Sequence, residues 1–485
     1  MNTNTPVLTD LYQLTMAAGY WHAGMAEREA VFHLTYRKQP FAGGYAIAAG
    51  LADVVQWLQG FTFDAKELAY LATVPGRDGQ PLFDPSFLDY LSTLTWQCDL
   101  DAVPEGTVVF PHEPLIRVKG PLLQAQLVET ALLNIINFQT LIATKAARVC
   151  SAARGDQVLE FGLRRAQGPN GGLAATRAAY IGGCGATSNV LAGMQLGIPV
   201  KGTHAHSWVM AFDDELTAFE TYSEALPNNC IFLVDTYDTI EGVRNAVTVG
   251  KKLRERGHDL AGIRLDSGDL AWLSQEAKRI LDEGGFPDAV IVASNDLDEH
   301  LIESLKQQGA AITVWGVGTQ LVTGGDQAAL GGVYKIGAIK DVHGRWQPKI
   351  KLSEHSAKVS NPGMQQVRRF SADGFFTGDA IFDECIPPND GWHIIDPNDP
   401  IRYKHMTPGS AHEDLLVPIY RNGVLVYKLP KLQEMQARTG QQLAGLHPTI
   451  KRLQNPHTYP AGLEQSLAME KARLIKENTP KPSNR

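Results

Sequence analysis

Two histidines two residues apart, His204 and His206, lie in the segment GTHAHSW. Other reactive residue types recur at similar places along the same stretch of chain. Phe161, Arg164 and Arg165 precede GPNGG (Gly168–Gly172), Asp235 and Asp238 lie in VDTYDT, and Arg264, Asp266, Ser267 and Asp269 lie in RLDSGD. Ser294, Asn295 and Asp296 follow in ASND, and Gly316, Gly318 and Thr319 in WGVGTQ. Glycine turns let backbone N–H groups approach phosphate oxygens, and arginines fork onto phosphate or carboxylate. Carboxylates hold Mg²⁺ or ribose hydroxyls. Together these residues point to a phosphorylated, metal-chelating, hydroxyl-rich ligand.

Singly, each also has a structural explanation. A Gly-x-Gly-Thr turn is commonly no more than a tight connection, and Arg164-Arg165 fits a solvated surface with a salt bridge. Asp266 to Asp269 can cap a helix. A lone His206 is most often an ordinary hydrogen-bonded histidine. His204-x-His206 also matches the two-histidine metal pair of a hydrolase barrel, but a catalytic zinc usually takes three protein ligands. The later strand ends offer no third histidine, since His258 and His300 fall in helical connections, so that reading is set aside. Co-location is what favours the functional reading.

The elements that must bring them together are legible as apolar runs of strand type. These are Gln157–Phe161, Ile198–Lys201, Cys230–Val234, Gly262–Leu265, Ala289–Val292, Ile312–Trp315 and Gly332–Ile336. Helical patterns over Thr239–Arg256, Ala271–Asp282 and Asp298–Gln308 separate most of the later runs. Strands alternating with helices predict parallel pairing, as a barrel or an open doubly wound sheet. A barrel is favoured because polar signatures follow almost every strand, and barrel chemistry gathers at the carboxyl ends of the strands.

Residues 1–150 read as a mixed domain, 151–340 as the barrel and 341–485 as C-terminal segments. In the first part, Thr9 caps a helix over Asp10–Tyr20, Ala30–Tyr36 is a strand, and Gly43-Gly44 turns the chain. Three short helical patterns follow, the clearest starting at Asp84 and Pro85, and residues 98–119 are short β pieces. One long amphipathic helix is predicted over Leu122–Ala153. In the last part, Asp341–Trp346 and Tyr420–Val424 are expected hairpins, the second turning on Asn422-Gly423. A charged helix is expected over Leu463–Lys476, and the final KPSNR is expected to fray.

The 485 residues carry 44 Lys+Arg against 52 Asp+Glu, a net charge of −8 without a basic tract. That balance argues against nucleic acid or an anionic membrane as the main partner. No apolar stretch reaches the ~18 residues of a membrane span. The first twenty residues hold no Lys or Arg, which argues against a secretory signal. Cys98, Cys150, Cys184, Cys230 and Cys385 are widely spaced and form no Cys-x-x-Cys. They fit reduced thiols in a cytoplasm, mostly small core residues, and no structural zinc.

Taken in order, TDLYQLTMAAGY, EFGLRRAQGPNGG, ATSNVLAG, KGTHAHSW, LVDTYDT, GIRLDSGDL, VASNDL, WGVGTQLVT and GGVYKI resemble the nicotinate phosphoribosyltransferase family through most of the chain. One departure is Gln365 in PGMQQV, where the family tends to carry Lys; it bears on a phosphate contact there, not on the reaction class.

The resemblance implies an irregular, incomplete α/β barrel of about seven parallel strands beside a smaller α/β, open-sandwich-like domain. That second domain is built from the N-terminal part, with C-terminal segments packed nearby. It implies a cytoplasmic homodimer with active sites shared between subunits. It also implies the reaction of nicotinate with phosphoribosyl pyrophosphate, dependent on Mg²⁺ and coupled to ATP hydrolysis, although the chain has no Walker A pattern. The family transfers the γ-phosphate of ATP to a histidine that matches His206, not His204. Arg264 and Asp266 match residues on phosphoribosyl pyrophosphate and its ribose, and Gly316, Gly318 and Thr319 fit a 5′-phosphate site near the last strands. Phe161 and Tyr12, the latter from the partner subunit, would sandwich the pyridine ring. Arg164 or Arg165 would hold its carboxylate, and Asn189, Asp235, Ser294 and Asn295 complete the expected substrate contacts. Asp235 is a further candidate to orient the ring of His206. The alternatives are the same chemistry on nicotinamide, which lacks the carboxylate, and an inactive barrel scaffold.

Overall fold

Between Ile142 and Ala328 the apolar runs form one parallel sheet. This unit is one of two into which the chain divides, the other being Met1–Leu141 with Ala329–Arg485. The computed structural model describes residues 4–479 apart from 356, 357, 387, 389, 390, 398 and 400, so the terminal KPSNR lies outside the described residues. The sheet strands are β1 (Gln157–Glu160), β2 (Ala186–Thr187), β3 (Ile231–Leu233), β4 (Gly262–Leu265), β5 (Val290–Asn295) and β6 (Val314–Val317). Their order is β2-β1-β6-β5-β4-β3, every pair parallel. The chain has a mixed α/β fold.

Two of the seven expected parallel strands are corrected. Ile198–Lys201 contributes only a single parallel bridge, Val200 to Thr187. Gly332–Ile336 belongs to a longer strand, Gly332–Lys340, which pairs antiparallel with Glu29–Tyr36 in the other unit. An apolar run states that a strand is buried but not its direction, which explains the second error. The strand that was not expected, β2, is two residues long and sits in the polar stretch GATSN, where no apolar run announces it.

Aspartates start four of the helices in this unit. Asp214 accepts a hydrogen bond from Thr217 N (2.8 Å), Asp238 from Glu241 N (2.9 Å) and Asp269 from Trp272 N (3.1 Å). Asp298 accepts from His300 N and Leu301 N. Each satisfies backbone donors that the first helical turn leaves open. Glu299, at the start of the last of these helices, is buried between Lys145 (2.5 Å) and Arg148 (2.8 Å). Burial opposes its charge, but the two cations outweigh it and hold the carboxyl below its usual range.

The other unit holds an antiparallel seven-stranded sheet. From edge to edge it runs Trp346–Pro348, Gly332–Lys340, Glu29–Tyr36, Ile116–Pro121, Asp99–Ala102, Val417–Arg421 and Val424–Leu425. The last two strands turn on Asn422 and Gly423, both with positive φ, as a two-residue hairpin requires. A second, six-stranded sheet is built from C-terminal segments. Three helix boundaries are corrected. The expected 122–153 helix is two helices, Leu122–Leu127 and Glu129–Ala152. The first helix is Leu11–His22 with Asp10, not Thr9, at its N-cap position. Residues 461–464 form a strand before the last helix, Gln465–Asn478.

Candidate active site

The polar residues that follow the strands sort into two groups. Asp238 and Asp269 are spent on helix caps, and so is Asn189, whose Oδ1 accepts from Ala192 N (3.2 Å). The residues left over converge. Arg264, Asp266, Ser294, Asn295, Gly316, Gly318 and Thr319 line one cavity of about 590 Å³, together with Phe161, Arg164 and Arg165. That volume lies in the range of ordinary ligand sites.

Arg264 is clamped by its own neighbourhood. Its Nη1 donates to Thr203 Oγ1 (3.1 Å) and its Nη2 to the His204 carbonyl (3.0 Å). Its buried Nε has no partner. Burial lowers the guanidinium pKa while Asp266 and Asp235 oppose that shift. Asp266 accepts from Ser294 Oγ through Oδ1 (2.6 Å), and its Oδ2 lies 3.7 Å from His206 Nε2. Asp235 Oδ2 accepts from Asp266 N (2.9 Å) and Ser267 Oγ (2.7 Å), so it braces the loop that presents Asp266. Its Oδ1 is buried with no hydrogen-bond partner. Asp235 therefore does not orient His206. That position is taken by Thr236, whose Oγ1 lies 3.2 Å from His206 Nδ1.

The two histidines serve different ends. His204 packs against Phe219, Tyr222 and Phe232 and accepts the backbone N–H of Leu233 at Nε2 (3.3 Å). Burial pushes its pKa down to about 4, which keeps it neutral near pH 7. His206 is half exposed at the start of the short helix His206–Val209.

Arg164 and Arg165 stand on the single turn Leu163–Arg165, both exposed, and neither pairs with a carboxylate among the described residues. The surface salt-bridge reading is thereby removed. Phe161 donates its N–H to Val317 O (2.8 Å) and lays its ring on Gly316. A Cβ on Gly316 would sit 2.6 Å from the ring, so only glycine leaves room there. Asn295 holds φ +149° at the cavity wall, a strained conformation of the kind that clusters at functional sites.

Family models cover nearly the whole chain. The nicotinate phosphoribosyltransferase N-terminal domain matches residues 7–137, the nicotinate phosphoribosyltransferase family 157–371 and the C-terminal domain 364–471. The chain belongs to the nicotinate phosphoribosyltransferase family. The nicotinate phosphoribosyltransferase of Bacillus subtilis is 44% identical over 474 residues, spanning 97% of this chain and 95% of its own. That of Bos taurus is 36% identical, spanning 95% of each. The crystal structure of the human nicotinic acid phosphoribosyltransferase superposes with a TM-score of 0.83 at 33% identity, covering 96% of this chain and 99% of that one.

Of the expected residues in the unit Ile142–Ala328, His206, Asp235 and Asn189 are not among those that line the cavity. Tyr12 lies on Leu11–His22 in the other unit, half exposed. Asn189 is buried, with Nδ2 donating to Thr176 Oγ1 (3.2 Å). Gln365 is buried and donates to Asn361 O (2.8 Å). Cys184 carries no sign of reactivity: the neighbouring Cys150 thiol and burial push its pKa well up. Sequence reasoning missed Thr203, Thr236 and Glu160. Each sits inside a quoted motif, but a threonine or a strand-end glutamate has no spacing that marks it.

Proposed function

We propose that the protein joins nicotinate to phosphoribosyl pyrophosphate, yielding nicotinate mononucleotide and pyrophosphate in NAD salvage, with ATP hydrolysed through a phosphorylated His206. The observation that carries this reading is a cavity where two arginines without ion-pair partners face the Arg264–Asp266–Ser294 cluster. Two cationic forks suit a ligand with a carboxylate at one end and phosphates at the other. Nicotinamide, lacking the carboxylate, gives the pair less to hold.

In this reading, Phe161 and Tyr12 of the partner subunit stack on the pyridine, and Arg164 or Arg165 holds its carboxylate. Gly316, Gly318 and Thr319 take the 5′-phosphate. Asp266, with Ser294 and Asn295 beside it, takes the ribose hydroxyls, and Arg264 takes the pyrophosphate side. Asn189 contributes through the helix Val190–Leu196 that it caps. The pyridine nitrogen attacks ribose C1 as pyrophosphate leaves with the bonding electrons, and the Asp266 carboxylate stabilises the positive charge that builds on the ring. Stacking on Phe161 keeps water from the reacting carbon. Asp235 and Asp266 offer carboxylate oxygens of the kind a hard divalent cation takes, and Asp235 Oδ1 is buried without a hydrogen-bond partner. Mg²⁺ bound with substrate would offset the pyrophosphate charge.

A nitrogen of His206 attacks the γ-phosphorus of ATP, forming a P–N bond as the P–O bond to ADP breaks; water later takes the phosphoryl group. Thr236 holds Nδ1, so the ring is already oriented. The sheet order, with Val200 beside β2, supports an incomplete barrel open between Val200 and β3. A cytoplasmic homodimer completes the reading. No helix among the described residues is long and apolar enough to cross a membrane. The test is labelling with γ-³²P ATP: acid-labile label is expected on the wild type and not on His206→Asn, and undiminished label on the variant overturns the assignment.

A further inference from the structure

Glu160 ends β1 with its side chain 1% exposed, directly before Phe161. Every group facing its carboxylate in hydrogen-bond contact is a donor. Oε1 accepts from the backbone N–H of Gly162, and Oε2 from Thr176 Oγ1 (2.8 Å) and Thr187 Oγ1 (2.6 Å). Its backbone carbonyl accepts from Ser188 N (3.0 Å). The two threonines pass the connection on. Thr187 Oγ1 accepts from Asn189 N (2.9 Å), and Thr176 Oγ1 from Asn189 Nδ2 (3.2 Å). One buried carboxylate thus ties together the end of β1, the helix Gly168–Ile181, the end of β2 and the start of the helix Val190–Leu196.

We propose that Glu160 is a positioning residue for the aromatic-ring end of the site, holding Phe161 and the Arg164–Arg165 turn in register for the flat acid. Phe161 is fixed on one side by its N–H to Val317 O. On the other side, the turn that follows is fixed by Gly162 N–H on Glu160. Gly162 must remain glycine because a Cβ would collide with Val322, so the turn has little other means of adjustment. A carboxylate accepts only, and the Gly162 N–H and the Thr187 hydroxyl are turned to it, whereas the Thr176 hydroxyl also reaches Gly172 O (2.9 Å). A glutamine would turn an NH₂ toward one of them and leave a buried donor unpaired. The Arg264–Asp266–Asp235–Ser294 contacts share no hydrogen bond with this network, so the larger effect should fall on nicotinate.

The inference rests on the nicotinate reading, so its test has one arm that does not. In Glu160→Gln, amide exchange should speed up at Gly162 and across 187–192 while 264–267 keeps its wild-type protection. In kinetics, the KM for nicotinate should rise about tenfold or more, with the KM for phosphoribosyl pyrophosphate within about twofold of wild type. Should that variant not fold, Thr176→Val keeps the side-chain volume and should give the same one-sided pattern, weaker. Unchanged exchange at Gly162, or equal rises in both KM values, overturns the proposal. If the wild type makes no nicotinate mononucleotide, the functional reading fails, and the exchange arm alone decides the role of Glu160.

Discussion

His206 Nε2 lies 3.7 Å from Asp266 Oδ2, and the other oxygen of that carboxylate is held by Ser294 at 2.6 Å. A charge placed on the imidazole is therefore felt by the residue proposed to face the ribose. Phosphorylating His206 would set a phosphoryl group against this carboxylate, and like charges at such range repel. Asp266 and the Asp235-braced loop behind it are the elements that would respond, which gives ATP a physical route to the glycosyl-transfer step.

Asp266→Asn should therefore lower kcat/KM for both phosphoribosyl pyrophosphate and nicotinate. A loss of about 10²-fold or more matches the removal of one preorganised charge from a transition-state site. Steady-state rates on the folded variant check it; activity within a few-fold of wild type contradicts the role.

The arginines are separable by single substitutions. Arg164→Gln and Arg165→Gln should differ, one raising the nicotinate KM about tenfold to a hundredfold, as expected for a lost charge-assisted pair. The other should change it little. Lysine at the sensitive position should rescue only part of the loss, because an ammonium cannot fork onto a carboxylate.

Gly316→Ala probes the space against the Phe161 ring. The added methyl would lie 2.6 Å from the Phe161 ring and push it toward the cavity. Nicotinate affinity measured by calorimetry should fall at least about tenfold. Tm should change modestly, because the ring can yield into open space. Unaltered affinity would show that Phe161 is not against the ligand.

How far the sequence revealed this site depends on residue type. The residues that point into the cavity, Arg264, Asp266, Ser294 and the glycines of WGVGTQ, were legible because strand alternation predicts a common end for them. Those that act sideways were not. Thr203 and Thr236 reveal themselves only as partners of Arg264 and His206, and Glu160 is hidden as the last residue of an apolar strand. Fold errors have the same origin. Gly332–Lys340 looks like any buried strand until its antiparallel partner Glu29–Tyr36, some 300 residues away in sequence, is known. The two-residue β2 lacks the apolar pattern that a longer strand would show.

Stability should depend on buried histidines at acid pH. Burial lowers His204 to about 4, His112 to about 4 and His33 to about 3 from an ordinary value of 6.5. Between those values the unfolded chain binds protons that the folded chain refuses. Stability is then fully present above about pH 6.5 and lost as pH falls toward 4, by up to ~3 kcal/mol for each group. Urea midpoints from pH 7 to pH 4.5 should fall steeply in the wild type and less steeply in His204→Gln. Identical slopes would contradict the burial argument.

The most direct measurement is product formation from phosphoribosyl pyrophosphate and Mg²⁺ with either nicotinate or nicotinamide, each with and without ATP. Nicotinate mononucleotide should appear, ATP should increase its yield with release of ADP, and nicotinamide should be a poor substrate. Turnover of nicotinamide in preference to nicotinate, or no mononucleotide from either, would contradict the account.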